Sequence, residues 1–453
     1  MKDITRRSFV KGATTAAAAS TVLIGTSKTS WAGANDRINV AVCGINGRGK
    51  THMNRMTEVE GAEVTMLCDP DSSLFAPRSK EFFADKGLPA PKTEQDIRRV
   101  MDDKDIDVVS IATPNHWHSL ATVWACEAGK DVYVEKPMTH NIYEGRQVVA
   151  AAAQHKRIVQ HGTQLRSNPG FRRGIEKLQN GAIGDVYMAR AVCYKWRPDV
   201  GTASPGKAPK EIDWDVWQGP AEKEPFYVND GDKVTKGMMG GPGTHVHYYW
   251  HWKWAYGNGD IGNQGVHQLD AARWGLDVEI PYRCTSMGGN LLWDDSKEVF
   301  DVSSSSFMFK DKNTGKDKMM TLEVRPWYSN DEVKGKSFGV VFYGSHGYMS
   351  FPSYSGYELY RDGKFTEKDM EGNDSFHFQN FIDCVRSRKA EDINAKAIDG
   401  HYSSALSHYA LTGARVNRVL EIDTETEMVK GDKEANKHLT RNYRKGYEMT
   451  KYV

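Results

Sequence analysis

The stretch INVAVCGINGRG, residues 38–49, joins a short apolar strand to a glycine-rich turn. Glycines let the backbone approach a dinucleotide pyrophosphate, whose charge is stabilised at the N-terminus of the following helix. Asn46 stands where the middle glycine of such a fingerprint usually stands, and asparagine tolerates left-handed backbone better than most residues. The turn therefore predicts a dinucleotide site. The residues predicted to form it are Gly44, Asn46, Gly47, Arg48 and Gly49.

Strand and helix patterns alternate from this turn to about Gly162. Short runs rich in β-branched residues, AEVTMLCD, DVVSIAT, DVYVE and RIVQHG, are separated by longer helical segments. Such alternation predicts βαβ units and a doubly wound parallel sheet. Asp69 ends the second strand, where an acid binds the ribose hydroxyls of NAD, and no arginine follows it to accept a 2′-phosphate. The pattern favours NAD over NADP, although Asp69 also suits a helix cap.

Polar residues follow two later strands of the predicted sheet. TPNHWH, residues 113–118, follows one strand, and EKP, residues 135–137, follows the next. Ligands of open parallel sheets lie beyond the carboxyl ends of the strands, so both motifs should face the cofactor. Lys136 is expected to aim its ammonium into this cleft, beside a proline that can be cis. The cofactor-facing residues predicted here are Thr113, Pro114, Asn115, His118, Glu135 and Lys136.

The rest of the chain predicts a second unit. A chain of 453 residues is too long for one ordinary core, and strands such as VSSSSFMFK and MMTLEVRPW alternate in hydrophobicity after Pro281. This pattern indicates a large, mainly antiparallel open sheet with one buried face. We expect an α/β protein with an N-terminal Rossmann domain at residues 35–162 and a C-terminal α/β substrate domain at residues 163–453.

The stretch GNQGVHQLD, residues 262–270, is predicted to open a helix. Asn263, His267 and Asp270 fall at positions i, i+4 and i+7, so they share one helical face if the helix starts early. A histidine so placed can act as a general base, because its ordinary pKa is near neutral. A purely structural histidine is the alternative.

The aromatic stretch THVHYYWHWKW, residues 244–254, allows three interpretations. Aromatic planes stack on the apolar faces of sugar rings, which favours a carbohydrate site. Core packing is one alternative, and a metal site formed by His245, His247 and His251 is the other. Gln164 and Arg166 follow the last strand of the first sheet and should border the same cleft. The predicted substrate residues are Gln164, Arg166, Trp250, His251, Trp252, His267 and Asp270.

Composition and the first residues limit the setting of the protein. Sixty basic side chains face 59 acidic ones, and the net charge of +1 predicts neither a nucleic-acid nor a membrane-surface partner. The six cysteines are scattered without metal-ligand spacing, so we predict neither disulfides nor a bound metal. TRRSFVK, residues 5–11, has the form of a twin-arginine signal. We expect residues 1–34 to be a signal peptide and the mature protein to be periplasmic, a disordered tail being the alternative.

The order of glycine turn, TPNHWH, EKP and GVHQLD resembles the glucose-fructose oxidoreductase/inositol dehydrogenase (Gfo/Idh/MocA) family. The resemblance implies a Rossmann domain and an α/β domain whose open sheet mediates oligomers, so a homodimer or homotetramer is expected. It also implies that Lys136 and His267 form a catalytic pair beside the nicotinamide. The family's usual aspartate four residues before this histidine is Asn263 here. An amide can orient a substrate hydroxyl but cannot raise the basicity of His267 by charge.

Three functions follow from the resemblance. The first is an exported NAD-dependent oxidoreductase that acts on a hydroxyl of a sugar or glycoside and recycles a tightly bound cofactor. The second is an NAD-dependent glycoside hydrolase that oxidises C3 transiently and then eliminates the glycosidic bond. Relatives of that kind lack the EKP lysine, so Lys136 favours the dehydrogenase. The third is a nucleotide-loaded binding protein without turnover, against which the presence of both Lys136 and His267 argues.

Overall fold

The computed structural model describes residues 37–197, 199–229, 246–327 and 338–453. The predicted signal peptide and His245 lie outside these ranges. One compact unit, Ile38–Val453, contains the sheets described below. The division into domains near residue 162 stays a prediction.

The first sheet consists of parallel strands, as the alternating pattern predicts. Its strands are β1 (Ile38–Cys43), β2 (Ala62–Cys68), β3 (Lys92–Glu94), β4 (Val108–Ile111), β5 (Asp131–Val134) and β6 (Val159–His161). They lie in the order β3-β2-β1-β4-β5-β6, and every neighbouring pair is parallel. The order reverses between β1 and β4, which opens a crevice at the carboxyl ends of these two strands.

Helices pack against this sheet, and its central strands β4 and β5 are buried and mostly apolar. Every residue of β4 and β5 is buried, which is typical of a parallel sheet covered on both faces. The helices of this part are α1 (Gly49–Glu58), α2 (Phe75–Phe82), α3 (Ile97–Asp102), α4 (Asn115–Glu127) and α5 (Ile142–Gln154).

The second sheet is larger and mainly antiparallel. The remaining strands are β7 (Val186–Tyr194), β8 (Ala203–Pro205), β9 (Tyr227–Asn229), β10 (Arg283–Gly289), β11 (Val302–Lys310), β12 (Asp317–Arg325), β13 (Phe338–Gly344), β14 (Gly347–Phe351), β15 (Gly356–Arg361), β16 (Lys364–Met370) and β17 (Leu420–Glu421). All but the β8–β9 ribbon lie in the order β16-β15-β14-β13-β7-β12-β11-β10-β17. β7 pairs with β12 in parallel, and the other neighbouring pairs are antiparallel.

One face of the second sheet is packed and the other is open. The remaining helices are α6 (Pro169–Gln179), α7 (Trp214–Gln218), α8 (Val266–Leu276), α9 (Ser375–Ser387), α10 (Ala397–Val416) and α11 (Lys433–Lys437). Helices α6, α8 and α10 contact the sheet, and α10 also packs against α5 beside the first sheet. Phe307 of β11 is fully buried, whereas Tyr187 and Met287 are 55% and 70% exposed. The predicted α/β fold class is confirmed.

Two further features bear on the sequence-based expectations. Within the described ranges, no helix combines the length and apolar character needed to cross a bilayer. All six cysteines are buried as free thiols.

Candidate active site

The glycine turn is packed tightly against the neighbouring strand end. Gly44 has a left-handed φ of 84°, and a Cβ there would lie 2.6 Å from the carbonyl of Ala112. A Cβ on Gly49 would lie 1.9 Å from the Gly44 carbonyl oxygen, so only glycine fits at either position. Asn46 has no left-handed φ. Tolerance of left-handed backbone is therefore not what suits asparagine to this turn.

The side chain of Asn46 links the turn to a distant segment. Its Nδ2 lies 3.0 Å from Nδ1 of His247, and its Oδ1 accepts a hydrogen bond of 3.1 Å from Arg78. Nε2 of His247 lies 3.2 Å from the Asp71 carboxylate. These contacts fit one neutral tautomer, in which Nδ1 accepts from Asn46 and Nε2 donates to Asp71. We call residues 246–252 the cleft strap, because they cross the crevice at this point.

The main cavity lies in the crevice between the turn and the cleft strap and has a volume of about 440 Å³. Of the residues predicted to face the cofactor, Gly49 alone does not line it, since it packs beneath Gly44. Residues predicted for the cofactor that do line it are Gly44, Asn46, Gly47, Arg48, Asp69, Thr113, Pro114, Asn115, His118, Glu135 and Lys136.

Asp69 lies at the end of β2 on the wall of this cavity. Its Oδ2 accepts a 2.9 Å hydrogen bond from the amide of Ile45, and its Oδ1 accepts one of 3.0 Å from the amide of Asp71. Burial raises the pKa of the Asp69 carboxyl to about 6, although both amides oppose the rise. The carboxylate is thus held rigidly at the strand end, where a ribose hydroxyl would bind.

Glu135 is the centre of a buried hydrogen-bond network next to Lys136. Its carboxylate accepts hydrogen bonds from Arg48 at 2.8 Å, from His52 at 3.2 Å and from Gln164 at 3.0 Å. Burial opposes ionisation, but the charge of Arg48 and the hydrogen bond from His52 outweigh it, so the pKa of Glu135 lies well below its usual value. The network fixes the end of β5, from which Lys136 projects.

Lys136 donates from Nζ to Asn263, at 2.5 Å to the carbonyl oxygen and at 2.8 Å to Oδ1. The following Lys136–Pro137 peptide bond is cis. Burial lowers the pKa of the Lys136 ammonium to about 8, and the charge of Glu135 only partly offsets this. The ammonium is therefore held in place by an amide partner and remains mostly protonated at neutral pH.

His267 shares a second cavity of about 370 Å³ with Lys136. Arg48, Glu135 and Lys136 line both cavities, so the two adjoin. The imidazole centroid lies 5.0 Å from that of the Tyr354 ring, and Nδ1 has no hydrogen-bond partner within the described ranges. Burial and the nearby charge of Lys136 hold the pKa of His267 well below its usual value. The ring is thus neutral, and a neutral imidazole has one ring nitrogen that can accept a hydrogen bond.

Two matches with known families agree with this arrangement. Residues 38–163 match the NAD-binding Rossmann fold of the GFO_IDH_MocA oxidoreductase family, and residues 367–449 match its C-terminal alpha/beta domain. Over these two segments the chain is similar to the Gfo/Idh/MocA family. The resemblance seen in the sequence motifs is therefore confirmed.

Curated relatives match part of the chain. A glycosyl hydrolase family 109 protein of Shewanella pealeana is 30% identical over 164 residues, which are 34% of this chain and 35% of that protein. An inositol 2-dehydrogenase of Rhodococcus jostii is 29% identical over 162 residues, 35% of this chain and 42% of that protein. The matched region thus spans less than half of these relatives.

A solved structure shares the fold over a longer range. The WlbA dehydrogenase of Bordetella pertussis, in complex with NADH and UDP-GlcNAcA, superposes with a TM-score of 0.62 at 16% identity. The alignment covers 85% of this chain and 99% of that one. At this identity the likeness shows a shared fold and no more.

Arg166 and Asp270, both predicted to touch substrate, are instead paired with each other. Arg166 contacts both carboxylate oxygens of Asp270 at 2.8 Å, and Ser403 donates to the same carboxylate at 2.6 Å. Asp270 is fully buried, and neither partner lines either of the two cavities described. Of the three residues predicted to share a helical face, Asn263 and His267 line the cavities and Asp270 does not. A π turn at Ile261–Gly265, which contains Asn263, precedes α8 and changes the spacing expected between Asn263 and His267.

The aromatic stretch divides between cavity and core. Trp250 and His251 line the main cavity with their rings stacked at 3.7 Å, whereas Trp252 is 1% exposed and packs in the core. His247 contacts Asp71, and His251 Nδ1 lies 2.6 Å from the Tyr248 carbonyl oxygen. The described histidines thus have separate partners, and the described ranges contain no cluster of three metal-ligating side chains. Gln164 lines the second cavity.

Several cavity residues have no signal in the sequence motifs. Lys195 and Arg197 follow β7 and line the main cavity, and Arg197 is held by Asp260 at 2.7 Å and Tyr248 at 3.1 Å. Gln264 donates a hydrogen bond from Nε2 to the hydroxyl of Tyr354 beside His267. These residues come from distant parts of the chain, and only folding brings them to the site.

Proposed function

We propose that this protein is an exported NAD-dependent oxidoreductase that oxidises a hydroxyl group of a sugar or glycoside. The observation that supports this most is the cavity common to Lys136 and His267, next to the glycine turn. A proton acceptor and an ammonium donor on one wall are what alcohol oxidation requires from a protein.

The cleft fits a dinucleotide. Gly44 and Gly47 bring turn backbone without side chains to the main cavity, which is about 440 Å³ in volume. Gly44, Gly47 and the start of α1 would hold the pyrophosphate, and Asp69 would bind the adenosine ribose and disfavour a 2′-phosphate. Bound NAD supplies the acceptor for the hydride.

His267 and Lys136 have different roles in the proposed oxidation. The substrate C–H bond breaks as a hydride leaves, the O–H bond breaks as a proton leaves, and a carbonyl remains. We assign the proton to the neutral imidazole of His267. The ammonium of Lys136, with a pKa of about 8, donates to the hydroxyl oxygen and stabilises the negative charge that develops there. Asn263 keeps this ammonium in position.

The substrate class is supported by the aromatic part of the cleft strap. Trp250 and His251 present stacked rings to the cavity, and Lys195, Arg197 and Gln264 supply donors around it. Flat apolar rings with polar groups at their edges suit the faces and hydroxyls of a sugar ring. The Rhodococcus jostii relative is named inositol 2-dehydrogenase, and inositol is a cyclic polyol, which agrees with this class.

Export and tight cofactor retention form one part of the proposal. A twin-arginine substrate crosses the membrane folded, so a cofactor held under the cleft strap would travel with it. Two residues of the cleft strap contact the rest of the protein here. His247 contacts Asn46 and Asp71, and the Tyr248 hydroxyl accepts a hydrogen bond from Arg197. A retained cofactor would be recycled by reducing a second carbonyl compound. Fractionation of cells tests export, and native mass spectrometry of the periplasmic protein tests retention. An apoprotein that binds NAD weakly would contradict retention.

A second candidate is an NAD-dependent glycoside hydrolase. It is favoured by the matches to glycosyl hydrolase family 109 proteins, at 30% identity over 164 residues for the Shewanella pealeana protein. Aryl glycosides separate the two functions. Net formation of NADH supports the dehydrogenase, and release of phenol without net NADH supports the hydrolase. Neither product from a broad panel would favour a nucleotide-loaded binding protein.

We further propose a homo-oligomer formed through the open face of the second sheet. Tyr187 and Met287 expose more than half of their surface on strands of this sheet. Substitution of Met287 by lysine should dissociate such an oligomer in size-exclusion chromatography with light scattering.

A further inference from the structure

A third cavity lies apart from the proposed active site. It has a volume of about 120 Å³ and lies between the segment after the EKP motif, the loop around Asn258, α10 and the C-terminal segment. Among the described residues, it shares no lining residue with the two active-site cavities. No carboxylate is present among the described residues that line it.

The wall of this cavity is rich in hydrogen-bond donors. It includes His140, His408 and His438 together with Arg415 and Arg441. Arg415 is exposed on one side and lies over the Trp254 ring at 4.2 Å. Such a combination of cationic and imidazole groups is typical of sites for small anions.

Several of these donors are buried without a partner. Nη2 of Arg441 donates to the carbonyl of His116 at 2.7 Å and contacts Glu144 at 2.8 Å. Its Nε and Nη1 are buried and have no hydrogen-bond partner within the described ranges, and the same holds for Nε2 of His140. Glu144 therefore satisfies one end of the guanidinium only. A buried donor without an acceptor is costly, so an acceptor is expected in the cavity.

We propose that this cavity binds a small anion that carries a phosphate, sulfate or carboxylate group. The two unpaired nitrogens of Arg441, Nε and Nη1, are each a donor that can bind an oxygen of such a group. His140 supplies a further donor, and Arg415 closes the outer side. Uncharged water would satisfy single donors but not the excess positive charge.

The test is a titration of the full-length protein saturated with NAD, so that the pyrophosphate site is filled. Sodium phosphate, sulfate and malonate are compared with sodium chloride at equal ionic strength, by thermal unfolding and by isothermal titration calorimetry. The three oxyanion salts distinguish phosphate, sulfate and carboxylate recognition. At least one of them should bind saturably and raise the midpoint of unfolding.

Two variants locate the binding. Arg441→Lys keeps the charge beside Glu144 but removes the unpaired guanidinium donors, and Arg415→Gln changes an exposed residue. Each should weaken oxyanion binding by about tenfold, the value expected for loss of one charge-assisted hydrogen bond. Arg99→Gln, on an exposed side chain far from the cavity in sequence, should bind as the unmodified protein does. If Arg441→Lys does not fold by circular dichroism, Arg415→Gln decides.

Two results would overturn the proposal. One is a response to the oxyanions no larger than that to chloride, which would mean that the cavity holds water. The other is unchanged oxyanion affinity in Arg415→Gln or in a folded Arg441→Lys.

Discussion

The ammonium of Lys136 lies 2.8 Å from Oδ1 of Asn263, in the π turn that leads to His267. An uncharged amide therefore occupies a position from which an aspartate would pair with the lysine directly. This contact holds Lys136 in place without adding a negative charge, which is one reason why burial can lower the pKa of the ammonium to about 8.

Replacement of Asn263 by aspartate should change the pH dependence of turnover. A carboxylate at this distance favours the charged form of Lys136 and raises its pKa by about one pH unit or more. If the ammonium is the active form, activity falls as pH rises through the pKa of Lys136. The alkaline limb of the kcat profile should therefore begin near pH 8 in the unmodified protein and at higher pH in Asn263→Asp. An identical alkaline limb in both proteins would show that the titration of Lys136 does not control kcat.

Asn46→Gly should accelerate cofactor release while preserving the glycine turn. The substitution installs the usual fingerprint residue but deletes the contact with His247, and a lost hydrogen bond of about 1 kcal/mol corresponds to several-fold faster dissociation. Release is measured by displacement of bound NAD with a fluorescent analogue. His247→Ala should have a similar effect, and the double variant should be no faster than either single one. Asn313→Gly, in an exposed loop, serves as the matched control. Additive effects in the double variant would show that Asn46 and His247 do not affect cofactor release through a shared contact.

Asp69→Ala should weaken NAD binding and narrow the preference for NAD over NADP. The carboxylate holds the position where the adenosine ribose is expected, and its charge repels a 2′-phosphate. The affinities for both nucleotides are measured by isothermal titration calorimetry. An unchanged ratio of the two would place the ribose elsewhere.

Asp270→Asn should destabilise the fold without acting on substrate binding. Arg166 and Asp270 are buried partners, and removal of one buried charge typically costs about 3–5 kcal/mol because the other is left unpaired. Urea unfolding measures the loss, and the KM of the folded variant should stay near that of the unmodified protein. Asp369→Asn, which breaks the exposed pair with Arg173, is the control and should change stability far less. A large rise in KM with unchanged stability would restore Asp270 as a substrate residue.

The parts of the site that sequence reasoning found are those fixed by local geometry. Strand periodicity and the rule that ligands lie at carboxyl strand ends lead directly to Gly44, Asp69 and Lys136. The contact that Asn46 makes could not be predicted from local geometry, because its partner His247 is 201 residues away. The same holds for Arg166 and Asp270, which are 104 residues apart. From the sequence alone, each of these side chains resembles a free polar group at the cleft, and only the folded structure shows its partner.

Adjacent aromatic residues show a second limit. Trp250 and Trp252 are the same residue type two positions apart. A 3₁₀ turn at Tyr249–Trp252 nevertheless places Trp250 at the cavity and Trp252 in the core. No hydrophobic period indicates such a short turn. Tyr354 and Arg197 reach the site through tertiary packing alone.

The most direct test of the account follows the hydride in single-turnover experiments. The NAD-loaded protein is mixed with sugars and glycosides deuterated at their carbinol carbons, and the nucleotide is then analysed by mass spectrometry. We predict that a substrate transfers one deuterium to the nucleotide. The rate should fall by roughly 10²–10⁴-fold in both Lys136→Met and His267→Ala, with NAD affinity nearly unchanged. Lys210→Met, at an exposed lysine, is the control. Deuterium transfer at an undiminished rate in either active-site variant would contradict the account.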